Sequence, residues 1–231
     1  LLLHQGTLDK YIGDAIVAFY GAPAPLVDQE KKACSTALMM HNKLDELRKK
    51  WMKEDDWPDI VYQMQHRIGL NSGQMVTGNM GSEMRMNYTM MGDTVNLAAR
   101  LEPAAKQYGV YILVGEKVYE ASNDEFAFRF LDFLSVKGKE IPAKTYELID
   151  RKESIDKRSI ELIKTFEEGL DNYFNQKWDH AIQSFIKSIS FEDDFPGRNT
   201  NPSKVFIDRC NYFKQNPPDL NWDGVWKMTS K

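Results

Sequence analysis

The alternation of hydrophobic and polar positions along this chain predicts strands and helices arranged around one central unit, residues 87–103. Its sequence is NYTMMGDTVNLAARLEP, in which extended-type and apolar residues lead into Gly92 and helix-favouring residues follow. Asp93 stands directly after the glycine and suits a helix N-cap, because its side chain can accept from a free backbone N–H of the first turn. We therefore predict a strand, a tight turn and a helix, in this order.

Two polar side chains of the predicted helix, Asn96 and Arg100, carry the first functional hypothesis. Residues four apart lie one turn above each other on one helix face, so these two are expected to be neighbours. A guanidinium offers five donors and a permanent charge to phosphate oxygens, and an amide can both donate and accept at a ribose. The pair suits a phosphorylated sugar. The alternative is a solvated arginine beside an asparagine of no special role.

The N-terminal pattern predicts a hairpin and then a long helix. Residues 6–21, GTLDKYIGDAIVAFYG, predict two short strands joined at Gly13-Asp14, and the nearly all-apolar second strand is expected to be central. Asp14 either serves the turn, where aspartate is common, or holds a hard cation, which prefers oxygen ligands. Residues 28–54 follow with apolar positions at three and four spacing, which is typical of an amphipathic helix.

Further strands are predicted downstream, and a helical extension follows them. The extended segments are residues 65–81, 109–114 and 126–149. The domain boundary is predicted between residues 1–150 and 151–231, and the second part begins with a charged linker, residues 151–159. The extension fits one tetratricopeptide-like helix pair, with Gly169 where the helices approach and Trp178 starting the second helix. One such repeat cannot bury its own apolar face, so it is expected to dock on the preceding domain or on a protein partner.

Composition argues against several classes of function. A formal net charge of −4 argues against a general nucleic-acid binder, which usually shows a basic excess. Cys34 and Cys210 belong to no CxxC or Cys/His spacing, so the sequence indicates neither a disulfide framework nor a zinc site, and a reducing compartment is expected. No apolar run approaches the ~20 residues of a membrane-spanning helix.

Separated segments of the chain resemble the motifs of class III nucleotide cyclases, the adenylate and guanylate cyclase catalytic domains. They are DKYIGDAIVAFYGAP near the N-terminus, GDTVNLAAR in the central unit and SVKGKEIPAKTYEL around a turn predicted at Gly138. The resemblance assigns a ribose contact to Asn96 and stabilisation of the pentavalent phosphate to Arg100. It also assigns metal binding to Asp14 and a triphosphate contact to Lys137.

By the same resemblance, Lys10 and Thr89 match the family's two purine-contacting positions. A lysine donor suits N1 of adenine, which accepts, whereas guanine presents an N1–H there; a threonine hydroxyl can accept from the adenine amino group. The pair therefore favours ATP over GTP. The resemblance implies an adenylate cyclase that converts ATP to 3′,5′-cyclic AMP and pyrophosphate, through attack of the 3′ oxygen on the α-phosphate with two Mg2+ or Mn2+ ions.

The resemblance also implies an architecture. The family has a ferredoxin-like α+β catalytic domain with its sites at a two-fold interface, so we expect a homodimer with two composite sites. The family's first metal-binding aspartate would lie upstream of Leu1, and we expect the chain by itself to be N-terminally incomplete and inactive for lack of it. A cytoplasmic location is expected, either alone or as the cytoplasmic part of a membrane-tethered sensor.

Thr89 carries a regulatory hypothesis as well. Class III cyclases with threonine at this position resemble the subgroup that bicarbonate stimulates. A neutral hydroxyl in place of a carboxylate would leave Lys10 less fully neutralised and the pocket more welcoming to a small anion. The alternative is that Thr89 only contacts adenine.

Other functions compete with this hypothesis. One is a non-catalytic module in which the cyclase fold only dimerises and the helical extension binds a partner; another is a guanylate cyclase. The presence of Asp14, Lys10, Asn96 and Arg100 together weighs against a degenerate site. A diguanylate cyclase shares the core fold, but the sequence contains no GGDEF-like turn.

Overall fold

The computed structural model describes residues 1–134, 142–195, 198–219 and 221–226. The strands in these ranges are β1 (Thr7–Ile12), β2 (Ala15–Phe19), β3 (Ile68–Leu70), β4 (Val76–Ser82), β5 (Arg85–Met91), β6 (Ile112–Gly115), β7 (Phe126–Leu134) and β8 (Ala143–Arg151). The helices are α1 (Gln29–Glu54), α2 (Asp59–Tyr62), α3 (Asp93–Tyr108), α4 (Glu116–Ser122), α5 (Lys157–Phe174), α6 (Trp178–Ile189) and α7 (Pro202–Gln215). Within the described ranges, no helix is long and apolar enough to span a membrane.

A mixed four-stranded sheet forms the middle of the fold, in the order β3, β6, β8, β7. Strand β3 pairs parallel with β6, whereas β8 pairs antiparallel with both β6 and β7. Strands β1 and β2 form one antiparallel hairpin, and β4 and β5 form another. A helix-covered sheet combined with antiparallel hairpins confirms the predicted α+β class.

The prediction that the second N-terminal strand is central is wrong. Among the described strands, β2 pairs only with β1. Ile16 within it is 50% exposed. An apolar run indicates a central strand only when other elements cover it, and the residues of a strand do not specify which neighbours it will have.

Successive residues of β6 face opposite sides of the sheet, and this alternation divides the core in two. Ile112 and Val114 pack with residues of α1 and α4, including Cys34 and Val118. Leu113, between them, packs on the other side with α3 and with helices α5 to α7. One face of α3 is therefore held in the core while its other residues remain available at the surface.

The helical segment, residues 157–215, contains the close approach of two helices that its sequence predicts. Helices α5 and α6 pack together at Gly169, where an added Cβ would lie 2.5 Å from Cε1 of Phe185. Helix α6 begins at Trp178, as predicted. Two aromatic residues that follow α7, Trp222 and Trp226, pack against the core that includes α3. The tetratricopeptide-like assignment of this helix pair stays a prediction.

Buried charged side chains connect β7 to the helical segment. Asp132 accepts a hydrogen bond from Arg209 of α7 at 2.5 Å and another from the hydroxyl of Tyr108, in α3, at 2.6 Å. Arg129, also in β7, pairs with Glu192 after α6 at 2.6 Å. The helices thus supply partners that offset part of the cost of burying these charges, and Arg129 is also paired with Glu147 of β8 at 2.5 Å.

Candidate functional site

The central unit folds as a strand, a turn and a helix, as predicted. Strand β5 ends at Met91 and helix α3 begins at Asp93. Gly92 between them has φ +146°, a backbone conformation that favours glycine. It occupies the N-cap position that the sequence assigned to Asp93. The aspartate therefore lies in the first helical turn, where the helix dipole favours a negative charge.

Asn96 and Arg100 lie one turn apart on α3, and both are exposed. The buried residues of the helix are Leu101, Ala104, Ala105 and Tyr108. These side chains fix the helix against the core, so its exposed face has a defined position. An amide and a guanidinium are thus presented next to each other at the surface, as the sequence predicts.

The two predicted purine-contacting residues meet in the structure. Lys10 Nζ, from β1, donates to Thr89 Oγ1, from β5, at 3.2 Å, although 79 residues separate them in sequence. The side chain of Lys10 is 45% exposed. The hairpin β1–β2 and the strand that leads into α3 therefore place their polar side chains at one location.

A third side chain at this location, Asp9, was missed by reasoning from the sequence. Its Oδ2 accepts a hydrogen bond from Thr89 Oγ1 at 2.7 Å and lies 3.4 Å from Lys10 Nζ. The side chain of Asp9 is only 2% exposed. Adjacent residues of a regular strand point to opposite faces, so the neighbouring Asp9 and Lys10 would not be expected to act together. No local signal in the sequence predicts that they do.

The pairing of β1 with β2 explains how both side chains reach Thr89. Leu8 pairs with Ala18 and Lys10 pairs with Val17, so Asp9 is an extra residue in β1, a β-bulge. A bulge interrupts the alternation of side chains and turns one of them towards a new direction. Asp9 and Lys10 can therefore contact the same hydroxyl.

Asp14 lies in the turn of the first hairpin, as predicted, and is exposed. Gly13 before it has φ +61°, which completes the tight turn. Within the described residues, no group of three or more His, Cys, Asp or Glu side chains could hold a metal ion. Asp14 has the oxygen ligands that Mg2+ and Mn2+ prefer, but this single carboxylate does not fit a site for two ions.

Lys137 lies outside the described residues. The premise for bicarbonate sensing, an incompletely neutralised Lys10, is not supported, because the Asp9 carboxylate lies 3.4 Å from Lys10 Nζ. Asp9 supplies the negative charge that Thr89 does not carry.

Comparison with known proteins identifies the family. The sequence model of the adenylate and guanylate cyclase catalytic domain matches residues 6–150. The terminal-differentiation specific adenylate cyclase of Dictyostelium discoideum is 31% identical over 210 residues, which cover 89% of this chain and 9% of that protein. The chain spans 9% to 28% of the length of three curated adenylate cyclases that it matches.

Solved structures give the same result. The adenylyl cyclase CyaB from P. aeruginosa superposes with a TM-score of 0.58 at 29% identity, covering 67% of this chain and 77% of the other. The guanylyl cyclase Cya2 superposes with a TM-score of 0.55 at 27% identity, covering 67% and 75%. The sequence match, the α+β fold and the position of the central unit lead to one conclusion. This chain belongs to the adenylate and guanylate cyclase catalytic domain family.

Proposed function

We propose that the protein containing this chain is an adenylate cyclase that converts ATP to 3′,5′-cyclic AMP and pyrophosphate. The observation that carries the proposal is the contact between Lys10 and Thr89, 3.2 Å from Nζ to Oγ1. A lysine donor complements N1 of adenine, and a threonine oxygen complements its amino group. Three matched relatives are named adenylate cyclases, which supports the same choice.

The remaining side chains have roles that follow from their chemistry. Asn96 would position the ribose, and Arg100, one turn away, would stabilise negative charge that develops on the α-phosphate as the 3′ oxygen attacks. An exposed guanidinium can approach phosphate oxygens from solvent without first breaking a buried ion pair. Lys137 is proposed to contact the triphosphate, on its sequence motif alone.

The proposal includes Mg2+ or Mn2+, with Asp14 as one ligand. Divalent ions at phosphate sites neutralise charge and polarise phosphoryl oxygens. Mg2+ is commonly held by one or two carboxylates together with substrate phosphates. A second carboxylate from outside the described residues would complete a site for two ions, and without it the described residues are not expected to catalyse the reaction.

The substrate assignment is tested by measuring kcat/KM for ATP and for GTP with the full-length protein. We expect a preference for ATP of at least about 100-fold, because guanine would place its N1–H donor against the lysine donor of Lys10. Equal values, or a preference for GTP, would contradict the adenylate assignment and favour a guanylate cyclase. No turnover of either nucleotide, with Mg2+ or with Mn2+, would favour a non-catalytic module.

We further propose that each active site is shared between two subunits, with Asp14 from one and Asn96 and Arg100 from the other. The test mixes two inactive full-length variants, Asp14→Asn and Arg100→Ala. Random pairing makes half of the dimers mixed, each with one intact site, so roughly a quarter of wild-type activity should return. If each active site were built within one subunit, mixing would restore none.

The helical segment is proposed to stabilise the mixed four-stranded sheet and α3. Its support is the hydrogen bond from Arg209 to Asp132, which also accepts from Tyr108 of α3.

Stimulation by bicarbonate stays a prediction from family resemblance. Titrating bicarbonate at fixed pH against full-length wild type and Thr89→Asp tests it, and stimulation that is undiminished in the variant would exclude a role for Thr89.

A further inference from the structure

The three polar side chains at the candidate purine position form a closed arrangement. Thr89 lies 2.7 Å from Asp9 and 3.2 Å from Lys10, and these two lie 3.4 Å from each other. Asp9 is almost completely buried, whereas Lys10 is 45% exposed. The carboxylate is therefore a fixed part of the fold, while the lysine can move towards a ligand.

The chemistry of the partners determines where the hydroxyl proton of Thr89 lies. An ionised carboxylate can only accept hydrogen bonds, and an ammonium group can only donate them. A hydroxyl has one proton and two acceptor positions. Thr89 must therefore donate its proton to Asp9 and accept from Lys10. One lone pair of Oγ1 remains for a ligand, and that lone pair can only accept.

We propose that Asp9 is a specificity-determining residue that acts by holding the Thr89 hydroxyl as an acceptor. This inference rests on the proposed function, in which Thr89 faces the purine. The amino group at position 6 of adenine can donate to the oriented oxygen. The carbonyl oxygen at position 6 of guanine cannot, because it would place one acceptor against another.

The β-bulge at Asp9 makes this arrangement possible. Without the extra residue, Asp9 and Lys10 would alternate across the strand and only one could contact Thr89. Without the carboxylate, the hydroxyl could rotate and donate to the guanine oxygen. The same threonine would then no longer discriminate between the two bases at this atom.

The experiment compares kcat/KM for ATP and GTP in the full-length protein and its Asp9→Ala and Asp9→Asn variants. We expect the ATP to GTP ratio to fall about tenfold in Asp9→Ala, the effect of a hydrogen bond that no longer discriminates. Asp9→Asn should keep most of the ratio, since its side-chain oxygen still accepts from Thr89. An equal fall in both variants would mean that the charge beside Lys10 matters, and not the direction of the hydroxyl, and would overturn the proposal.

A second variant keeps the test decisive if Asp9→Ala fails to fold. Thr89→Val removes the hydroxyl and keeps the shape, so the ratio should fall, and adding Asp9→Leu, which fills the space without an acceptor, should change the ratio no further. An unchanged ratio in Thr89→Val would also overturn the proposal. Wild type that does not prefer ATP would refute the proposed function itself, whereas a wild-type preference that falls in Thr89→Val and survives both Asp9 variants refutes only the role of Asp9.

Discussion

The buried pair between Asp132 and Arg209 provides the sharpest test of how the helical segment is held. Asp132 is 2% exposed and Arg209 is 9% exposed. Besides Arg209, the carboxylate accepts from Tyr108 at 2.6 Å and from the backbone N–H of Phe133 at 2.7 Å. Burial lowers the pKa of Arg209, but Asp132 together with Tyr108 and Tyr173 more than offsets this, and the pKa is raised. The arginine therefore stays charged inside the core.

Replacing Asp132 with alanine leaves that charge buried without its partner. Breaking a buried pair in this way typically costs about 3–5 kcal/mol. The pair formed by Lys214 and Asp179 is the matched control, because its N–O distance is also 2.5 Å while the carboxylate is 73% exposed. An exposed pair contributes at most about 1 kcal/mol, so Asp179→Ala should change stability little.

The assay is urea unfolding at pH 7, followed by circular dichroism, for wild type, Asp132→Ala and Asp179→Ala. We expect the free energy of unfolding to fall about 3–5 kcal/mol in the first variant and less than about 1 kcal/mol in the second. If Asp132→Ala is too unstable to measure, Asp132→Asn replaces it. Its loss of unfolding free energy should lie between those of Asp132→Ala and Asp179→Ala, because the amide oxygen keeps two acceptor positions without the charge. Equal effects of Asp132→Ala and Asp179→Ala would refute the argument that burial sets the value of these ion pairs.

Two further predictions concern packing and pH. Burial, together with the neighbouring His41, lowers the pKa of His66 from 6.5 to about 4. The unfolded chain therefore binds more protons between these pH values, so the free energy of unfolding should fall as pH decreases from 6.5 to 4, by about 1–2 kcal/mol after allowance for partial exposure. In His66→Phe the free energy of unfolding should depend less on pH over this range. An unchanged pH dependence in this variant would contradict the prediction. Gly169→Ala should lower the free energy of unfolding in the urea assay by about 1–2 kcal/mol, because the new Cβ meets the ring of Phe185. The control is Glu168→Ala at an exposed position of the same helix, which should change the free energy of unfolding by less than about 0.5 kcal/mol.

Local patterns in the sequence determined most of the elements and the candidate residues. Gly92 separates a strand from a helix because extended-type residues precede it and helix-favouring residues follow it. The spacing of four between Asn96 and Arg100 placed both on one face of that helix. Gly169 was recognised as a close approach because only a residue without a side chain fits between two helices there. These features depend on periodicity and steric limits within a few residues, which the sequence contains directly.

The tertiary structure alone decided the contacts between distant segments. Asp9 joined the site because a bulge in β1 redirected its side chain towards Thr89, 80 residues away. Strand β2 was expected to be central, but its pairing depends on neighbours that its own residues do not specify. The bond from Arg209 to Asp132 forms across 77 residues. Such pairs depend on which surfaces meet after the chain has packed, and one residue of shift in a strand reverses the direction of every side chain that follows.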